Sequence, residues 1–294
     1  MRRRFGRGAG ASGPASVLWA ESTFAELAWE RARAASVRWA VAGAAVGAAL
    51  GVVSFAPASW VALQVASASG ERLLLADARG TVWSGSAVPV LTGGPGSHDA
   101  AALPGRLAWT LGLHGAALEV SAVHACCLNG TVAVRVSPGF ARWTMTLVPP
   151  AGWVGQWPSA WLGGLGTPWN TLQLGGTVRL LSPGISLESV AGRWRVEGAA
   201  DLELVNASSR LSTLEELGSY RLRVVGDPAS AGQPQLSLST QDGALRLSGN
   251  GSWGPGGVRF RGEASADPED EAALANLLNI IGRRDGARSV ISIG

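Results

Sequence analysis

From Trp39 to Gly70 the chain carries no charged residue, and this run limits what the N-terminal part can fold into. Its core, WAVAGAAVGAALGVVSFA, extends from Trp39 to Ala56 and is followed by Pro57. A helix needs about 20 apolar residues to cross a bilayer. Trp39 and Trp60 lie 21 positions apart, about 31 Å along a helix, and tryptophan favours both membrane interfaces. A transmembrane helix over 39–60 is therefore expected, with an arm at 1–38 and a domain at 61–294. The segment has no polar face, which argues against a buried helix of a soluble protein. A cleaved signal peptide competes through the A-x-A site Ala66-Ser67-Ala68. However, the polar stretch ahead is long and the apolar run exceeds a typical signal core. An uncleaved anchor is the reading.

Charge sets the orientation. Residues 1–38 hold seven arginines (2, 3, 4, 7, 31, 33, 38) against Glu21, Glu26 and Glu30, a net +4; the remaining 17 arginines and 18 acids leave −1. The positive-inside rule keeps the arm in the cytoplasm. The high pI is thus local to the N-terminus, and without a basic stripe nucleic-acid binding is not expected. Within the arm, Gly6 to Pro14 reads as flexible. Val17, Leu18, Phe24, Leu27 and Ala28 fit either an amphipathic surface helix or a poorly ordered segment. In the span, Gly43, Gly47 and Gly51 recur at i+4 beside Ala40, Ala44 and Ala48. Such a small-residue face suits helix pairing and a homodimer, or simply reflects an Ala/Gly-rich span.

After Gly70 the apolar period becomes two. Short runs such as RLAWTL (106–111), TVAVRV (131–136), YRLRVV (220–225) and QLSLST (235–240) alternate, with turn signals between runs at Pro138-Gly139, Pro183-Gly184, Asp227-Pro228, Asp242-Gly243 and Pro255-Gly256-Gly257. This predicts a mainly β domain, a curved and largely antiparallel sheet, with two or three short helices. One helix starts at Asp267-Pro268-Glu269, with Leu274, Leu277, Leu278 and Ile281 on one face. A second is suggested by the capping box Ser212/Glu215 and its stop Gly218. The tryptophan-rich stretch 157–169 is expected to be partly helical.

Gly80-Thr-Val-Trp-Ser-Gly85 resembles two other glycine-bracketed runs, 192–198 and 243–249. Glycine in a strand permits a bulge or a close backbone approach. Gly80 and Gly85 are expected to bend the sheet, with Trp83 packing across the bend; a docking role for Trp83 is the alternative.

Catalytic chemistry finds no support. Gly249-Asn-Gly-Ser-Trp-Gly254 matches G-x-G-x-x-G, but the helix needed at a pyrophosphate is replaced by Pro255-Gly256-Gly257 and another strand. His124, Cys126 and Cys127 lack the spacing and ligand number of a zinc site. On a strand the two cysteines would face opposite ways. They fit buried thiols, a strained mutual bridge or an intermolecular link. His98 and His114 read as turn residues. No catalytic residue, cofactor or metal ligand is expected.

The runs LADARGTVWSGSA (75–87), PGRLAWTL (104–111), WLGGLGTPWNTLQ (161–173), SSRLSTLEELGSYRL (208–222) and ALANLLNIIGRRDGARSVISIG (273–294) resemble the type II secretion system protein N family, in the pattern of its β-proteobacterial members. The resemblance implies a non-enzymatic, bitopic inner-membrane protein with a periplasmic β-rich domain. It would serve export of folded proteins across the outer membrane, through contacts with the inner-membrane platform or the secretin. The arm is longer than the resemblance leads one to expect. A second hypothesis is a lipid-handling protein, because the layout is also similar to AsmA-like envelope proteins whose curved sheet could hold an acyl chain.

Topology is testable directly. A reporter active only in the periplasm should work when fused after Gly294 and fail when fused before Trp39. The reverse result would overturn the assigned orientation.

Overall fold

The computed structural model describes residues 15–190, 193–226, 233–254 and 257–294. The Gly6–Pro14 stretch and the Asp227-Pro228 and Pro255-Gly256 turns lie outside them. The chain divides after Phe55 into two compact units.

The first unit contains one helix, α1 (Ala15–Ser54). Its segment Ser36–Ser54, with a mean hydropathy of 1.6, is long and apolar enough to cross a membrane. The helix ends short of the expected Trp60. Phe55 N–H donates to the Gly51 carbonyl at 3.0 Å, and two residues later Pro57 offers no amide to continue the ladder. Trp60 falls in a separate helix, α2 (Ser59–Ala68), of the second unit.

The second unit is built on one sheet. Among the described residues it has sixteen strands. The N-terminal set is β1 (Leu73–Gly80), β2 (Ser84–Thr92), β3 (Ala100–Ala102), β4 (Leu107–His114), β5 (Ala117–His124), β6 (Thr131–Gly139), β7 (Arg142–Val148) and β8 (Trp153–Pro158). Then come β9 (Leu174–Val190), β10 (Arg193–Ser209), β11 (Gly218–Gly226), β12 (Gln235–Asp242), β13 (Leu245–Gly254), β14 (Gly257–Ala266), β15 (Arg283–Asp285) and β16 (Arg288–Ile293). The order is β1-β2-β4-β5-β6-β7-β9-β10-β11-β12-β13-β14-β16-β15, with β3 on β2 and β8 on β9. The sheet is open and antiparallel, as the alternating pattern predicted. Its spine is the long β9–β10 hairpin. The first half of β9 pairs with β8 and the second half with β7.

Alternation separates the two faces, because partners across an antiparallel pair share a side. Leu111, Val120, Val134 and Leu147 lie in one directly paired row, and Leu202, Leu222 and Leu238 in another. The opposite face carries the charges. Glu119 faces Arg135 at 2.9 Å, and Glu203 faces Arg221 at 2.7 Å. Asp201–Arg223, Glu188–Arg142 and Glu263–Arg288 pair at 3.7, 3.7 and 3.4 Å. Each partly exposed pair adds little on its own; together they mark this face as solvated.

Two packed regions cover parts of the apolar face. At one end α2 sets Ala58 and Val61 against Leu75, Ala87 and Trp109. At the other, α4 (Glu271–Ile281) buries Leu274, Leu277 and Leu278 with Tyr220, Leu245 and Ala264. That core also takes Leu172 from the short helix α3 (Trp169–Leu172) and Leu217 from the segment before β11. Ser289 Oγ donates to the Leu278 carbonyl at 2.7 Å, satisfying an acceptor that the helix end leaves free. A 3-10 helix (Ser159–Leu165) leads towards α3. The Ser212 capping box forms no helix: Ser212 Oγ accepts from Leu214 N–H at 3.1 Å in a turn. Three residues further, Leu217 N–H is committed to the Ala207 carbonyl, which draws this segment back to the sheet.

Leu277 is 1% exposed and Ile280 is 43% exposed. Leu277→Ala should destabilise the domain by about 2–5 kcal/mol and lower its melting temperature, whereas Ile280→Ala should leave the melt near wild type. Thermal unfolding of the full-length chain in detergent checks both.

Candidate functional site: the uncovered part of the apolar face

Beyond the helices the apolar face continues as a row of side chains across the strands. Leu113, Leu118, Val136, Met145, Leu187 and Val196 are successive direct partners from β4 to β10. On β10 the row steps to Ala200, then runs through Val224, Leu236, Gly251, Phe260 and Ile293 as far as β16. The step coincides with a register shift between Ala199 and Asp201, where Ser182 Oγ donates to the Ala199 carbonyl at 2.7 Å. None of these twelve residues belongs to either packed core. Val196 is 7% exposed, most of the others are half-buried, and Leu113 is 83% and Ile293 54% exposed. Tryptophans lie along the outer margin. Trp143 and Trp194 meet edge-to-face at 4.7 Å, and Trp253 is 54% exposed.

Glycine–aromatic contacts shape the sheet here. A β-carbon at Gly262 would lie 2.9 Å from Phe260 Cε1 and one at Gly251 3.0 Å from Phe260 Cδ2. The Phe260 ring thus lies flat over strand glycines. The Gly80–Gly85 motif works in the same way with a different aromatic. Gly80 pairs with Gly85, has φ +88°, and leaves no room for a β-carbon beside the Ser84 carbonyl. The ring over Gly85 belongs to Trp109, whose Cζ2 would be 2.5 Å from an added β-carbon. Trp109 is 5% exposed and donates from Nε1 to the Val82 carbonyl at 3.1 Å. Trp83 sits in the turn between β1 and β2, 39% exposed, with its carbonyl accepting from Leu111 N–H at 2.7 Å. That turn also holds the chain entering α2: Val82 N–H donates to Ala56 and Ala58 N–H to Gly80. Sequence alone does not single out Trp109 or Phe260, because a glycine's aromatic cover comes from a neighbouring strand or from two positions along its own, and only the register identifies it.

Cys126 and Cys127 lie in a turn after β5 instead of on a strand, and they are joined to each other. Sulfurs in a disulfide are not thiolate ligands. His124 Nδ1 is 3.3 Å from Cys126 Sγ, while its buried Nε2 has no hydrogen-bond partner. Burial holds the imidazole pKa below its usual value, which favours the neutral ring. His98 lies in the loop before β3, and His114 ends β4 at the hairpin turn. In α1, Gly43, Gly47 and Gly51 have open space around their α-carbons within this chain. The Gly249–Gly254 run lies wholly inside β13, so it has no helix to present to a phosphate.

The family described as type II secretion system (T2SS), protein N, matches the chain over residues 71–291. No curated relative and no solved structure matches it.

Trp109→Ala should cost about 3–5 kcal/mol, as loss of a buried aromatic does, and depress the melting temperature. Trp83→Ala should cost clearly less. Equal melts for the two variants would contradict the assignment of the covering ring to Trp109.

Proposed function

The chain belongs to the type II secretion system protein N family, and from that premise we propose that it is a non-enzymatic inner-membrane subunit of the secretion machine. The observation that carries this reading is the family match across nearly the whole second unit, residues 71–291. Export of folded proteins across the outer membrane needs machinery that couples the two membranes, and a bitopic subunit with a sizeable β domain suits that task. The anchor is the apolar segment Ser36–Ser54. The arginine-rich flank ahead of it supports an N-terminus in the cytoplasm and a sheet in the periplasm. The subunit acts through protein contacts with the inner-membrane platform or the secretin. The Gly43/Gly47/Gly51 face of α1 fits close helix pairing, so a homodimer through the membrane is part of the proposal.

Deleting the gene should leave exoproteins folded in the periplasm or slow their release, measured by fractionation of culture supernatant and periplasm. Wild-type rates for every exoprotein would overturn a required role.

A further inference from the structure

We propose that the turn after β5 is a soft-metal site: once the Cys126–Cys127 bridge is reduced, both thiolates and His124 Nδ1 bind one Cu(I) ion. The donors converge because the cysteines lie in a turn and not on a strand. His124 ends β5, and the ligand atoms of His124, Cys126 and Cys127 all lie within 4.8 Å of one another. Magnesium and calcium take oxygen ligands, so this set does not serve them. Structural zinc takes four protein donors, whereas the described residues bring three together here. Thiolates select Cu(I), and that ion needs no fourth donor.

The histidine points the same way. His124 is 2% exposed, yet its Nε2 has no hydrogen-bond partner, and Nδ1 faces Cys126 Sγ at 3.3 Å. A disulfide sulfur has no hydrogen to offer a ring nitrogen. Buried polar groups are normally paired, so packing alone does not account for a histidine at this position. With its proton on Nε2, the ring presents the Nδ1 lone pair to the sulfurs, as a metal ligand does.

The turn itself is pinned. Cys127 N–H and Leu128 N–H donate to the His124 carbonyl at 3.3 Å, and Gln156 N–H donates to the Cys127 carbonyl at 2.9 Å. Asn129 N–H donates to the Val154 carbonyl at 3.1 Å. Gly105, at φ +99°, lets the chain before β4 close on the imidazole, where a β-carbon would lie 3.3 Å from Cε1. Donors on so fixed a backbone stay in place when the bridge opens. The Pro104 carbonyl lies 3.5 Å from Cys126 Sγ, in position to accept from the free thiol.

Opening the bridge takes a dithiol reductant. One of its thiolates attacks the exposed Cys126 Sγ, the sulfur–sulfur bond breaks, and the buried Cys127 leaves as a thiolate. The reductant's second thiolate then attacks its own sulfur in the mixed disulfide. Cys126 is freed as a thiolate, and the reductant ends as a disulfide, oxidised by two electrons. Its two protons pass to solvent when Cu(I) binds the thiolates. The proposal is independent of the role in secretion.

The test uses the full-length chain in detergent, reduced with dithiothreitol, desalted without oxygen and titrated with Cu(I) held as its bicinchoninate complex. The chain has two cysteines, so thiol-dependent uptake reports this turn alone. The expected result is one Cu(I) per chain for the reduced protein and none for the oxidised one. X-ray absorption at the copper edge should show two sulfurs and one nitrogen. Cys126→Ser should abolish uptake. His124→Gln should weaken it by at least tenfold, because losing even an outer-shell partner of a metal costs about 10–100-fold. Circular dichroism reports whether the variants fold; if His124→Gln does not, the nitrogen in the wild-type spectrum decides. No uptake, equal uptake by reduced and oxidised chains, or one ion shared between two copies would overturn the site. So would a copper shell without nitrogen, or displacement of the copper by excess Zn(II).

Discussion

A strand sends successive side chains to opposite faces, and a direct cross-strand partner lies on the same face. In a domain made of one sheet, that geometry forces all strands to agree on which side is apolar. Here they do agree, from Leu111–Val120–Val134–Leu147 near one end to Leu202–Leu222–Leu238 beyond the spine. A slip of one residue where β5 pairs with β6 or β10 with β11 would bring an arginine or glutamate onto the apolar side, so the ion pairs Glu119–Arg135 and Glu203–Arg221 also help to hold register. Stability then depends on how that apolar side is covered. A single sheet cannot cover its own face, so α2, α3, α4 and the segment around Leu217 do so in part.

Glycine and aromatic residues handle the places where simple alternation is not enough. Trp109 over Gly85, and Phe260 over Gly251 and Gly262, bring a large apolar ring flat against backbone where any β-carbon would intrude. The ring recovers the burial that glycine cannot supply, and the missing side chain lets the ring approach. At Gly80–Gly85 the same device sits beside the turn that receives the chain from Pro57. Damage at this corner therefore threatens both the start of the sheet and the seating of α2.

The chain belongs to a family of secretion-system components. What it offers is surface: a charged, solvated face on one side and an incompletely covered apolar face on the other. The first suits transient contacts that salt can weaken. The second leaves Leu113 and Ile293 more than half exposed at its ends.

Much of this was legible in the residues. The break in charge between Trp39 and Gly70 marks the apolar helix, and period-two alternation marks the strands. The leucine spacing at 274, 277 and 278 marks the buried face of α4. These are local properties, set by chain geometry over a few residues. Other features depended on distant partners. Local propensity extends the apolar helix to Trp60, but Pro57 and the hydrogen bonds of Ala56 and Ala58 with the β1–β2 turn divert the chain. The capping box at Ser212 is a sound helix signal that yields to the Leu217 pairing with Ala207. Trp83 lies within the glycine motif, yet the ring over Gly85 comes from Trp109, on a strand that only the sheet brings alongside. The sequence by itself determined where the chain is apolar, where it alternates and where it turns. Tertiary structure decided which strand lies beside which, and so which ring covers which glycine and how much of the apolar face stays open, because those outcomes depend on register between residues far apart in the chain.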